Sequence, residues 1–225
     1  MDPAAIVFDL DGVLVDSEQG WDEVRQAVVA ERGGRWRAEA TRAMQGMSTP
    51  EWSAYLVKSL GAAGPPEEVA RAAIEAMADR YRVHVPLLPG AVEAVTRLAE
   101  RWPLGVASSS PPDLIRVVLK AAEVADRFGA VVSSEEVPRG KPAPDVYLAA
   151  AAKLDADATR CVAIEDSANG LRAAAAAGMT VVAVPNPHFP PPEDALAVAA
   201  AAVPTPAALT VELIDSLPQP RRAQS

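Results

Sequence analysis

Asp9 and Asp11 stand two residues apart at the end of an apolar run, Ile6-Val7-Phe8, in the segment DLDGVLVDSE (9–18). A short run of this kind reads as a strand buried on both faces. Such a strand has no structural use for two acids at its C-terminal end, because burying an unpaired carboxylate is costly. At the carboxyl end of an α/β sheet, acids serve a ligand or a metal. Three further polar clusters follow in order. VASSS (106–110) closes a second apolar run with Ser108, Ser109 and Ser110. GKPAPDVY (140–147) isolates Lys141 between turn residues, and IEDSANG (164–170) closes another apolar run with Glu165 and Asp166.

Together these clusters offer carboxylates, one ammonium and several hydroxyls. Carboxylates gathered this closely repel one another unless a cation is present, and a hard, oxygen-rich donor set suits Mg²⁺. Neither His84 nor His188 falls in a cluster, so no zinc set is visible. A divalent cation and a lysine facing hydroxyls make an oxyanion receptor, for which phosphate is the natural ligand. Phosphoryl transfer needs charge neutralisation, an in-line nucleophile and a proton for the leaving oxygen. Asp9 is placed to be the nucleophile, and Asp11, turned differently two residues later, to be the general acid and base.

The elements that must position these residues are legible as a rhythm. Apolar runs recur at 6–10, 104–107, 130–132, 161–164 and 180–184, each short and without clean alternation, as in a buried parallel sheet. Helical stretches are expected at 113–125, with Asp113 as N-cap, at 145–154, and at 170–177, where Gly178 stops the helix. Strand alternating with helix predicts an α/β fold, a doubly wound parallel sheet with right-handed crossovers. The first two strands are separated by an interval without a convincing strand. Residues 17–32, 50–60 and 66–82 have helical character there, and 89–102 reads as the helix feeding the second strand. The expected domains are therefore an α/β core of residues 1–15 and 87–225, and a helical insert, 16–86, beside the Asp9 loop. Trp21, Trp36 and Trp52 fall inside the insert and suit a small helical core, one of them lining a cleft. A short strand near 200–203, a helix near 206–216 and a frayed end from 218 complete the expectation.

Bulk composition narrows the partners. A net charge of −9 argues against nucleic acid or an anionic membrane. No apolar run approaches the roughly 18 residues that span a bilayer, and no signal peptide is apparent. Cys161, the single cysteine, sits among Val162, Ala163 and Ile164 and reads as a buried, inert thiol. The expectation is a cytoplasmic monomer or weak homodimer whose partner is a small phosphorylated metabolite.

In order and in content the four clusters resemble those of the haloacid dehalogenase superfamily, over nearly the whole chain. The insert is similar to the four-helix cap of its phosphoglycolate phosphatase and β-phosphoglucomutase branch. The resemblance implies that Asp9 attacks phosphorus and that Asp11 is the acid/base. It implies Mg²⁺ held by the Asp9 carboxylate, the Asp11 carbonyl and Asp166, with Glu165 as a direct or water-mediated ligand. It gives Ser108 and Lys141 the phosphoryl oxygens, with the Ser109 backbone N–H added, and makes Gly12 the residue that permits a tight loop.

Within the family, Asp11 points to phosphate-ester chemistry, since dehalogenases lack a second Asp there. A phosphomutase is the main alternative. It would need a His near Gly20-Trp21 and basic residues where Gln45 and Thr49 stand; Arg35, Arg37 or Arg42 could replace them from elsewhere. A non-catalytic binding protein on the same scaffold is the second alternative. Substrate choice is expected to lie in the cap, at Gln45, Ser48, Thr49 and Trp52.

Overall fold

The computed structural model describes residues 2–44, 47–187 and 190–218. Six parallel strands form one sheet in the order β3-β2-β1-β4-β5-β6. They are β1 (Ala5–Phe8), β2 (Leu104–Ser108), β3 (Phe128–Ser133), β4 (Cys161–Glu165), β5 (Thr180–Ala183) and the two-residue β6 (Ala201–Ala202). The doubly wound α/β architecture is thus as expected.

Side-chain alternation on β1 explains why it carries no polar face. Ile6 and Phe8 enter one core with Leu104, Val106, Ile164 and Ile115. Ala5 and Val7 enter a second core, on the other face, with Ala107, Ala163, Ala150 and Ala173. The second core is alanine-rich, which lets α7 (Asp145–Lys153) and α8 (Ala168–Ala176) lie close to the sheet. On the first face sit α5 (Ala91–Ala99) and α6 (Pro112–Ala121). The N-cap of α6 is Pro111, and Asp113 lies in its first turn rather than at the cap. Two prolines in succession fix the backbone for the start of the helix, so a side-chain cap is not needed there.

Between β1 and α5 the described residues form four helices: α1 (Glu18–Glu31), α2 (Ala40–Met44), α3 (Thr49–Lys58) and α4 (Pro66–Val83). Their buried faces carry Trp21, Val24 and Val28 on α1, Trp52 and Leu56 on α3, and Val69, Ala73 and Met77 on α4. The five-residue α2 was not foreseen. The expected C-terminal helix divides into a single turn at Pro206–Ala208 and α10 (Val211–Ser216). A further short helix, α9 (Glu193–Leu196), precedes β6. No described helix is long and apolar enough to cross a membrane.

The helical segment is joined to the sheet by two chain crossings that run side by side. Asp16 N donates to Pro86 O at 2.8 Å, Leu88 N donates to Leu14 O at 3.0 Å, and Val15 bridges Leu87 in antiparallel fashion.

Candidate active site

β1 lies between β2 and β4, the point at which the strand order reverses direction. Crevices form at the carboxyl ends of strands at such a point. Asp9 immediately follows β1, Ser108 ends β2, Glu165 ends β4, and Asp166 is the next residue. Lys141 reaches the same place from the loop before α7. The sequence clusters therefore converge on one cavity of about 60 Å³, lined by Asp9, Asp11, Ser109, Lys141 and Asp166 from the sheet side.

Lys141 is the organising charge. Its Nζ lies 3.0 Å from Asp9 Oδ1 and 2.6 Å from Glu165 Oε1, and all three side chains are buried. Burial works to lower the Lys141 pKa, but the Asp9 and Glu165 charges raise it above its ordinary value. Glu165 is saturated. Oε1 also accepts from Tyr147 Oη at 3.1 Å, and Oε2 accepts from Asp166 N and Ser167 N at 2.8 Å and from Ser167 Oγ at 3.1 Å. Burial alone would raise this carboxyl; Lys141 and the Ser167 backbone hold it below the usual value. Glu165, expected as a direct or water-mediated metal ligand, spends these hydrogen bonds on Lys141 and the turn after β4, and one of its oxygens still lies within 4.8 Å of oxygens of Asp9 and Asp166.

Asp9 and Asp166 are in the opposite condition. Burial raises both carboxyls well above the usual range; Glu165 raises both further, Asp11 acts on Asp9, and Asp9 acts on Asp166. Oxygens of Asp9, Glu165 and Asp166 lie within 4.8 Å of one another. Buried carboxylates that crowd one another, with Lys141 as the one ammonium beside them, are a donor set that fits a hard divalent cation such as Mg²⁺. Gly12, at φ +74°, makes the approach possible: a Cβ there would overlap the Asp166 carboxylate.

Asp11 is turned toward β2. Its Oδ2 accepts from Ser110 Oγ at 2.6 Å and from Ser108 Oγ at 3.5 Å. Ser108 also accepts from Ser110 N at 3.0 Å, so its hydroxyl is occupied within the protein. Ser109 lines the cavity, and its Oγ is buried without a partner.

The helical segment closes the other side. Thr49 and Trp52, two of the expected specificity residues, line the cavity. Ser48 does not: its hydroxyl and amide form a capping box with Glu51 at the start of α3. Its Cβ instead faces the Gly140 turn, next to Lys141. Gln45 lies outside the described residues. From α1 the cavity is lined by Trp21, one of the tryptophans expected to reach a cleft, and by Glu18 and Arg25, which the sequence reading did not single out. Their i, i+3, i+7 spacing puts them on one face of α1, and that spacing is the signal that would have found them. The Arg25 guanidinium sits 4.8 Å from the Trp21 ring and 4.9 Å from the Trp52 ring, whose centroids are 6.0 Å apart. Burial pulls it down to about 10 against the charges of Glu18, Asp11 and Asp22. Arg35, Arg37 and Arg42 are not among the residues lining the cavity.

Known proteins are similar to this chain in sequence and in fold. Residues 3–178 match the family model of haloacid dehalogenase-like hydrolases. Hexitol phosphatase B of Escherichia coli (strain K12) is 38% identical over 191 residues, 82% of this chain and 84% of that protein. The plasmid-encoded CbbY of Cupriavidus necator is 34% identical over 197 residues, 80% of this chain and 78% of that protein. The crystal structure of CbbY from Rhodobacter sphaeroides in complex with phosphate superposes with a TM-score of 0.84 at 25% identity, covering 95% of this chain and 99% of that one. The chain belongs to the haloacid dehalogenase-like hydrolase family and is an enzyme of its phosphatase branch.

Proposed function

We propose that the chain is a Mg²⁺-dependent phosphomonoesterase acting on a small phosphorylated metabolite, a sugar phosphate or similar, through an aspartyl-phosphate intermediate. One observation carries this reading. Asp9 is a buried carboxylate at the sheet's switch point, 3.0 Å from the Lys141 ammonium, in a cavity shared with Asp11 and Asp166. The names of the relatives support the substrate class.

Asp9 and Asp166, with the Asp11 carbonyl, would hold Mg²⁺. When bound, Mg²⁺ neutralises charge on the phosphoryl oxygens. Lys141 binds a phosphoryl oxygen and balances charge as it is redistributed. An Asp9 oxygen attacks phosphorus; the Asp9–P bond forms as the ester P–O bond breaks. Asp11 gives its proton to the leaving oxygen, so the alcohol departs neutral. Asp11 then takes a proton from water, whose oxygen attacks phosphorus and releases inorganic phosphate and free Asp9. Residues 1–15 and 87–225 form the catalytic core in this reading, and 16–86 the cap. A cavity of about 60 Å³ is too small for a typical metabolite, since small-molecule sites run to roughly 300–1,000 Å³. The cap must therefore swing open at the paired crossings and close again over the substrate.

A mutase would need a grip on a second phosphate. Among the described residues Arg35, Arg37 and Arg42 are absent from the lining, and Arg25, which does line it, stands within the fields of Glu18 and Asp11; both favour the hydrolase.

The test is phosphate release from p-nitrophenyl phosphate and a panel of sugar phosphates. Asp9→Asn should abolish release while leaving the circular dichroism spectrum intact, because an amide does not attack phosphorus. EDTA should silence the wild type, Mg²⁺ should restore it, and Ca²⁺, which prefers more ligands in looser geometry, should inhibit. Activity of Asp9→Asn within tenfold of wild type would overturn the reading.

A further inference from the structure

The cavity wall supplied by the helical segment is built differently from the phosphoryl end. Arg25 projects from α1 over two buried indoles, its guanidinium 4.8 Å from the Trp21 ring and 4.9 Å from the Trp52 ring. Its Nε is buried without a hydrogen-bond partner, and Arg25 forms no ion pair within 4.0 Å among the described residues. Thr49, on the same wall, has a buried Oγ1 in the same condition. The fold thus supplies stacking surfaces for Arg25, and among the described residues no acceptor for its Nε. A buried donor left unmet is unfavourable, so a polar residue held this way at a ligand cavity points to an acceptor that arrives with the ligand.

The charge of the cavity decides which acceptor. Asp9, Asp11, Glu18 and Asp166 line it against Lys141 and Arg25. The transferred phosphoryl group and Mg²⁺ offset each other, so the lining remains acidic with substrate in place. A second anion beside Arg25 would also approach Glu18 and Asp11. A hydroxyl group has no such difficulty. It accepts from the guanidinium, which only donates, and gives its own proton to Thr49 or to a carboxylate. The flanking indoles present apolar faces suited to the C–H surface of a carbon chain that carries such hydroxyls.

We propose that Arg25 is the residue that selects the substrate's leaving group, and that it does so by donating to hydroxyls of a phosphorylated polyol. This rests on the phosphomonoesterase reading above and names the chemical class within it. Trp21 and Trp52 act as positioning residues that hold the guanidinium, and Thr49 completes the hydroxyl contacts.

The experiment compares kcat/KM for two esters with similar leaving groups: a hexitol 1-phosphate and n-hexyl phosphate, which lacks the hydroxyls. A site built to hydrogen-bond a substrate hydroxyl rejects the analogue without it strongly, so wild type should favour the hexitol ester by about 10²-fold or more. Arg25→Met should lower that ratio by about tenfold or more, chiefly through KM for the hexitol ester. Thr49→Val, nearly isosteric, should lower it in the same direction and keeps the test alive if Arg25→Met does not fold. Hydrolysis of neither ester, nor of p-nitrophenyl phosphate, by wild type would remove the phosphomonoesterase reading and this inference with it. An active wild type whose ratio is unchanged in both variants would overturn the role of Arg25 alone. A third substrate, a hexitol bisphosphate, closes the remaining case. If wild type prefers it tenfold over the monophosphate and Arg25→Met abolishes that preference, Arg25 grips a second anion and the hydroxyl assignment is wrong.

Discussion

Ser110 Oγ donates to Asp11 Oδ2 at 2.6 Å, tying the proposed proton donor to the loop after β2 rather than to its own loop. The contact fixes the orientation of the Asp11 carboxyl, which the proposed mechanism uses in both halves of the reaction. Asp11→Asn should lose roughly 10²–10⁴-fold in kcat/KM, the usual contribution of a general acid/base. Ser110→Ala should lose less. The Asp11→Asn loss should shrink on p-nitrophenyl phosphate, whose leaving group needs little protonation, compared with an alkyl phosphate. Equal losses on the two esters would contradict the acid role.

Lys141 and Glu165 form an ion pair that water does not reach. Removing one partner of a buried pair costs about 3–5 kcal/mol because the other charge is left unpaired. Lys141→Met should be the worse substitution, since it strands both Glu165 and Asp9. Glu165→Gln leaves Lys141 its contact with Asp9 and should cost less stability. It should still reduce activity, by letting the ammonium move. Chemical denaturation of both variants checks the order; Glu165→Gln being the less stable of the two would show that Asp9 does not share the lysine.

Two glycines stand where a side chain would strike the site. A Cβ at Gly12 would overlap the Asp166 carboxylate, and one at Gly170 would overlap that of Glu165. Gly12→Ala also forces a positive φ, at about 1–2 kcal/mol. We expect Gly12→Ala to weaken Mg²⁺ binding directly, read as a raised Mg²⁺ concentration for half activity. Gly170→Ala should act through Glu165 and Lys141, read as a raised KM with the Mg²⁺ requirement little changed. Identical behaviour of the two variants would deny them separate targets.

Burial, with the Asp157 charge adding to it, pushes the Cys161 thiol up to about 11. In the unfolded chain a thiol titrates near ~8.5. Because the folded value is the higher one, the stability held by the neutral thiol is complete below the unfolded value. It is lost as pH rises from ~8.5 through about 11, by on the order of 2 kcal/mol. Unfolding at pH 8 and pH 10.5 should therefore show wild type losing more stability than Cys161→Ala. Parallel losses in the two proteins would mean that the thiol does not contribute.

Much of this was legible because the chemistry sits at strand ends. Asp9, Ser108 and Glu165 each close an apolar run, and a parallel sheet brings such ends to one edge whatever the intervening chain does. Helices with long apolar stripes, such as α4, were legible for the same kind of reason: burial imposes a period. What escaped notice had no such imprint. The five residues of α2 are too few to show a period, and the four of α9 fewer still. The position of Ser48 in the insert suggests a cavity residue, and only Glu51 three residues later betrays the capping box. Arg25 was hidden because it belongs to no short motif. Its partners, Trp21 and Trp52, meet only after α1 and α3 fold together.

The antiparallel pairing of Val15 with Leu87 has a meaning beyond the hinge. Facing residues in such a pair stand about 5 Å apart, so the sheet sees everything between them as a loop with its two ends nearly touching. Any segment able to present two neighbouring ends can take that place without altering a single rung between β1 and its neighbours. In the proposed reading the phosphoryl-handling half and the substrate-reading half are thus separable, and exchanging the segment between Val15 and Leu87 would change the substrate range while the pairing of β1 is kept.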